Sequence, residues 1–90
     1  MKETFGQWIR RTRKECGLSQ GKVCLRAGVS SMTLFDAERD KTDPSEMTAR
    51  VLYGLAVTLD IDPGEVLKRA AETDTFLAKW WSDPKRGEWR

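Results

Sequence analysis

The chain contains no histidine. That removes the side chain most used for proton transfer near neutral pH, and the commonest metal ligand. The only thiols are Cys16 and Cys24, and two sulfur ligands cannot close a structural zinc site. No metal and no cofactor is expected. Both cysteines fall on predicted helices and are expected to be free thiols of a reducing compartment, serving as small core hydrophobes. No apolar run approaches the roughly 20 residues that span a bilayer. The opening MKETFGQWIRR lacks the apolar stretch of a signal peptide. A cytoplasmic location without a membrane partner is therefore expected. No stretch alternates as a half-buried strand does, and there is neither an internal repeat nor a low-complexity segment.

What is present fits one small soluble domain: 90 residues, 39% hydrophobic and 33% charged. Net charge is only +2, but it is unevenly spread. Residues 1–26 carry seven cations and two acids, a net of +5, whereas residues 31–46 carry two cations and five acids, a net of −3. Helix signals then recur along the chain. Thr4 and Gln7 make a capping box for a helix over residues 5–16, whose inner face holds Phe5, Trp8, Ile9, Thr12 and Cys16. Gly17 supplies a left-handed stop. Ser19 caps residues 20–27, with Val23 and Cys24 inward and Gly28 as the stop. Ser30 caps residues 31–39, with Leu34 and Ala37 inward. DKTDPSE reads as a turn, after which Ser45 caps a helix over about 46–59 with Ala49, Leu52, Leu55, Ala56 and Leu59 inward. Asp62, Pro63 and Glu65 start a fifth helix by capping box, with Val66, Leu67 and Ala70 inward. After it, the helix either breaks at Thr73–Thr75 or runs on to Trp81, and Asp83–Pro84 ends it. Residues 82–90 are expected to be a mobile tail.

GLSQ, then RAGVS, then the Glu38–Arg39 pair stand at spacings that resemble the Cro/C1-type (XRE-like) helix-turn-helix of phage repressors, restriction-modification controllers and many antitoxins. The likeness covers about residues 5–70. It implies an all-α, five-helix lambda-repressor-like domain over 1–72, with a short C-terminal extension over 73–90. It also implies a double-stranded DNA partner, the third helix lying in the major groove. Carried over by position, Ser31, Met32, Phe35 and Asp36 would touch base edges. Gln20, Ser30, Arg39, Lys41 and Thr42 would lie along the backbone. Arg13 and Glu38 would form a buried structural ion pair. Two positions depart from the family pattern. Asp40 replaces the glycine usual after the third helix, and Leu25 stands where the family shows water a polar residue.

Two functions follow from these positions. A DNA-binding transcriptional regulator would take affinity from basic residues and specificity from few base contacts. Met32 and Phe35 can pack on thymine methyls, and Asp36 can accept a hydrogen bond from a cytosine amino group or repel other bases. Alternatively, Leu25, Met32 and Phe35 form an apolar patch for a protein partner, as in an anti-activator or antitoxin adaptor. An enzyme is not expected, because the acids fall mostly at caps and turns rather than converging in a pocket. The late aromatics exceed the needs of a five-helix core. Phe76, Leu77, Trp80 and Trp81 recur at helical spacing, and are expected either to join two copies as a homodimer on a palindromic operator or to seal the monomer core.

Overall fold

The computed structural model describes residues 2–89, and for Trp81, Arg86 and Trp89 the backbone alone. Among the described residues the chain is helical throughout, with no strand: α1 (Phe5–Glu15), α2 (Gln20–Ala27), α3 (Ser31–Glu38), α4 (Ala49–Thr58), α5 (Pro63–Ala71) and α6 (Thr75–Trp81). Two 3-10 turns, Pro44–Glu46 and Arg86–Trp89, complete it. No helix is long and apolar enough to cross a membrane among these residues.

The first three helices begin and end for local reasons. Thr4 Oγ1 accepts from Gln7 N, and Gln7 Oε1 accepts from Thr4 N, so the capping box is complete. Ser19 and Ser30 accept from Lys22 N and Thr33 N. Each oxygen satisfies a backbone N–H that the first helical turn leaves orphaned. Gly17 and Gly28 close α1 and α2 at φ 70° and 69°, a region that costs glycine nothing.

One apolar cluster joins the five larger helices. Ile9, Val23, Leu34, Leu55, Leu59 and Val66 are its fully buried large side chains. Each contributes about 1.5–3 kcal/mol by leaving water. α4 packs between α2 and α5, while α3 packs against α1 and α2. Phe5 and Trp8 meet edge to face at 5.8 Å, and the Arg69 guanidinium covers the Trp8 ring at 4.2 Å. α6 is not among the closely packed helix pairs.

Several local expectations are corrected. Ser45 does not cap α4. Asp43 Oδ1 accepts from both Ser45 N and Ser45 Oγ, which draws Ser45 into the 3-10 turn, and Thr48 caps α4 instead through Val51 N. Ala49 therefore opens the helix and is exposed. Asp62 stands at the start of α5 without a side-chain capping bond. Glu65 binds Arg69 Nε at 2.7 Å rather than reaching back, so no capping box forms. Leu67 faces solvent because no described element covers that side of α5. Cys16 is not in the core, whereas Cys24 packs against its edge. Cys16 ends α1, exposed, with its thiol 3.5 Å from Leu59 O. Cys24 is partly buried, and burial followed by the charge of Glu38 raises its thiol pKa. The chain does break after α5: Asp74 Oδ1 accepts from Phe76 N and Leu77 N and starts α6.

Candidate nucleic-acid interface

α2, a tight turn and α3 form one braced unit. Gly28 N donates to Cys24 O at the left-handed turn, and Val29 N donates to the same carbonyl at 3.1 Å. From α4, Arg50 Nη1 donates to Gly28 O at 3.0 Å. α4 also comes close to the end of α2 at Gly54, where a Cβ would stand 2.7 Å from Ala27 O. The turn is thus fixed from inside by glycine and from outside by a guanidinium.

Beneath the unit runs a buried polar network. Arg13 Nε donates to Glu38 Oε2 at 2.7 Å and Arg13 Nη2 to Glu38 Oε1 at 3.1 Å. Arg13 Nη1 donates to Leu18 O at 3.0 Å, and Gln20 Nε2 to Glu38 Oε1 at 3.1 Å. Both charged side chains are nearly inaccessible. No buried side-chain N or O of the described residues lacks a partner, which is the condition under which a buried pair is tolerated. The network ties α1 to the start of α2 and the end of α3, and so sets the angle at which α3 projects.

The outer face of α3 is unusual for a polyanion partner. Ser31, Met32 (65% exposed) and Phe35 (41%) are outward, and Asp36 is half-buried beside them. Asp36 makes no side-chain hydrogen bond or ion pair among the described residues. The Arg39 guanidinium lies 4.7 Å above the Phe35 ring. Leu25 on α2 is 83% exposed. Ser30 is engaged as the cap of α3, Lys41 is exposed, and Thr42 is half-buried. The basic excess is smaller at the surface than in the sequence. Arg13 is buried, and Arg11 pairs with Glu3 and Glu15. Arg10, Lys14, Lys22 and Arg26 are exposed and make no ion pair among the described residues.

The model of the helix-turn-helix family matches residues 9–66, which takes in α2, the turn, α3 and α4. The chain belongs to the Cro/C1-type helix-turn-helix family. One relative is an uncharacterised helix-turn-helix-type transcriptional regulator, y4dJ, of Sinorhizobium fredii. It is 34% identical over 73 residues, covering 81% of this chain and 91% of the relative. No solved structure gives a significant match.

Within this helix-turn-helix frame the structure shows residues that sequence reasoning missed. Asp40, noted only as a departure from glycine, links α3 to α1. Its Oδ1 accepts from Gly6 N at 2.9 Å and its Oδ2 from Thr4 Oγ1 at 2.7 Å. Gly6 is required for the same approach, since a Cβ there would stand 2.4 Å from Ala37 O. Arg50 and the Gln20–Glu38 bond also left no local signal. On α6, Phe76 is 71% exposed, and Leu77 and Trp80 are more than one-third exposed. The Trp81 side chain lies outside the described residues. No group of three or more His, Cys, Asp or Glu among the described residues could hold a metal ion.

Proposed function

We propose that this protein is a cytoplasmic, non-enzymatic transcriptional regulator that binds double-stranded DNA as a homodimer, on a palindromic operator. The observation that carries this reading is the braced α2–turn–α3 unit, whose projecting helix keeps Ser31, Met32, Phe35 and Asp36 on its outer side. Such a helix fits the major groove, where base edges can be told apart. Gln20 uses one amide N–H on Glu38, leaving a second donor for a phosphate. Ser30, Arg39, Lys41 and Thr42 stand around the ends of α3 in position for the DNA backbone. Residues 1–72 form the DNA-binding unit and 73–90 the extension. The non-enzymatic reading is supported by the occupation of the carboxylates: Glu3, Glu38 and Glu65 hold arginines, Asp43 caps the 3-10 turn and Asp74 caps α6.

Fluorescence anisotropy over a salt series tests the proposal. Binding at low salt should weaken linearly on logarithmic axes as salt rises. Lys41→Ala should weaken binding to all sequences and lower the slope by about one. Absence of binding to any DNA at low salt sinks the reading. It would favour a protein adaptor instead, a second reading supported by the exposure of Leu25 and Met32 and the acidic balance around α3.

A further inference from the structure

We infer that the outer face of α3 reads 5-methylcytosine, the base whose major-groove edge carries an amino donor beside a methyl group. The inference rests on the DNA-binding function proposed above and goes further, to the chemistry of the base. Met32, Phe35 and Asp36 stand at i, i+3 and i+4 of one helix. Residues so spaced share a face, with Cβ atoms about 5–6 Å apart. The face is thus two exposed apolar groups around one carboxylate, and that carboxylate has no partner among the described residues. Phe35 is further restrained by Arg39 on its ring.

An ionised carboxylate only accepts hydrogen bonds. Brought near DNA phosphates it is repelled unless a donor meets it. The four ordinary base edges each fail at least one half of this surface. Guanine presents acceptors at N7 and O6, and thymine presents O4 next to its methyl, so both set lone pairs against Asp36. Cytosine offers its N4 amino donor but only C–H at the neighbouring carbon, leaving Met32 and Phe35 without an apolar partner. Adenine offers N6 but has no methyl, and the methyl of its thymine partner lies beyond O4, an acceptor that separates it from the N6 donor. In 5-methylcytosine the amino donor and the methyl occupy adjacent ring atoms. One base therefore satisfies Asp36 and covers the apolar pair together.

The test uses the full chain and two random-sequence duplex libraries, one synthesised with cytosine and one with 5-methylcytosine. Sequences recovered from the better-bound library are then remade with cytosine, 5-methylcytosine or thymine at each pyrimidine, and affinities are measured by anisotropy. One buried methyl should tighten binding about fourfold per half-site over cytosine. Thymine at the same position should bind more weakly than 5-methylcytosine. Asp36→Asn, whose amide can also donate to O4, should shift the preference toward thymine, and Met32→Ala should reduce the methyl effect. DNA binding with equal affinity for cytosine and 5-methylcytosine, or with thymine preferred by the unmodified chain, overturns this inference and leaves the DNA-binding function standing. Binding to neither library overturns both.

Discussion

Two aspartates, Asp40 and Asp60, sit at positive φ, 58° and 56°, each just past the end of a helix. That conformation costs a residue with a Cβ roughly 1 kcal/mol, less for aspartate than for most. Asp40 offsets the cost, because its carboxylate receives Gly6 N and Thr4 Oγ1. Asp60 is exposed and makes no side-chain hydrogen bond among the described residues, and its charge faces the negative end of α4. The same substitution should therefore act with opposite signs. Asp60→Gly should raise stability by up to about 1 kcal/mol, and Asp40→Gly should lower it by about 1–2 kcal/mol. Urea midpoints at unchanged slope measure both, and a rise in stability on Asp40→Gly would show that the Asp40 clamp contributes nothing. The buried pair gives a larger effect. Arg13→Ala and Glu38→Ala should each cost about 3–5 kcal/mol by stranding the other charge, and the double variant should cost less than the sum. A loss below about 1 kcal/mol in either single variant would mean the pair is solvated.

Three carboxyls near helix starts have their pKa values lowered in the folded chain. Arg11, by hydrogen bond, holds Glu3 below the ordinary carboxylate range, and Arg69 does the same for Glu65 within α5. Hydrogen bonds from the Ser45 hydroxyl and backbone lower Asp43 at the 3-10 turn before α4. A carboxyl whose pKa is depressed on folding contributes stability above its unfolded value, and that contribution is lost as pH falls through its folded value. All three groups are open to solvent, so the effect is small in each. Carboxyl shifts followed by NMR should titrate below the ordinary glutamate and aspartate values for these three, with melting temperatures declining as pH drops below about 4. Glu65 titrating at its unfolded value would place the Arg69 contact outside solution behaviour, leaving Arg69 held by Trp8 alone.

For the whole molecule, the question is how a 90-residue chain whose α3 carries two acids and no cation gains affinity for DNA. Few phosphate contacts give little binding. Two copies related by a two-fold axis would place their α3 helices about 34 Å apart, one turn of duplex, and double the contacts. The surface proposed for that pairing is α5 and α6, where Leu67, Phe76 and Leu77 are left exposed. Apolar and aromatic side chains of this kind suit an interface anchor. Sedimentation should show a dimer at micromolar concentration, and Phe76→Ala with Leu77→Ala should shift it to monomer without unfolding. A folded double variant that still dimerises would remove α6 from the interface, and an intact chain that stays monomeric would remove the dimer.

The sequence by itself determined the elements whose causes are short-range. The capping oxygens of Thr4, Ser19 and Ser30 bond within three residues, and Gly17 and Gly28 act at their own φ. The buried positions Ile9, Val23, Leu34, Leu52, Leu55 and Val66 follow from helical period alone. The Arg13–Glu38 pair was legible through family resemblance, not through any local signal. Where two groups could serve one purpose, local chemistry did not choose. Both Ser45 and Thr48 can cap a helix, and Asp43 settled it by binding Ser45. Likewise Arg69 drew Glu65 away from a capping box. Only tertiary structure decided that Asp40 would clamp α1, that Gln20 would join Glu38, and that Arg50 would hold the turn at Gly28. Those bonds join residues 18 to 36 positions apart. The same holds for Leu67 and Cys16, whose exposure depends on which elements arrive to cover them. Period and capping act along the chain, but a long-range hydrogen bond exists only once packing has brought its donor and acceptor within about 3 Å.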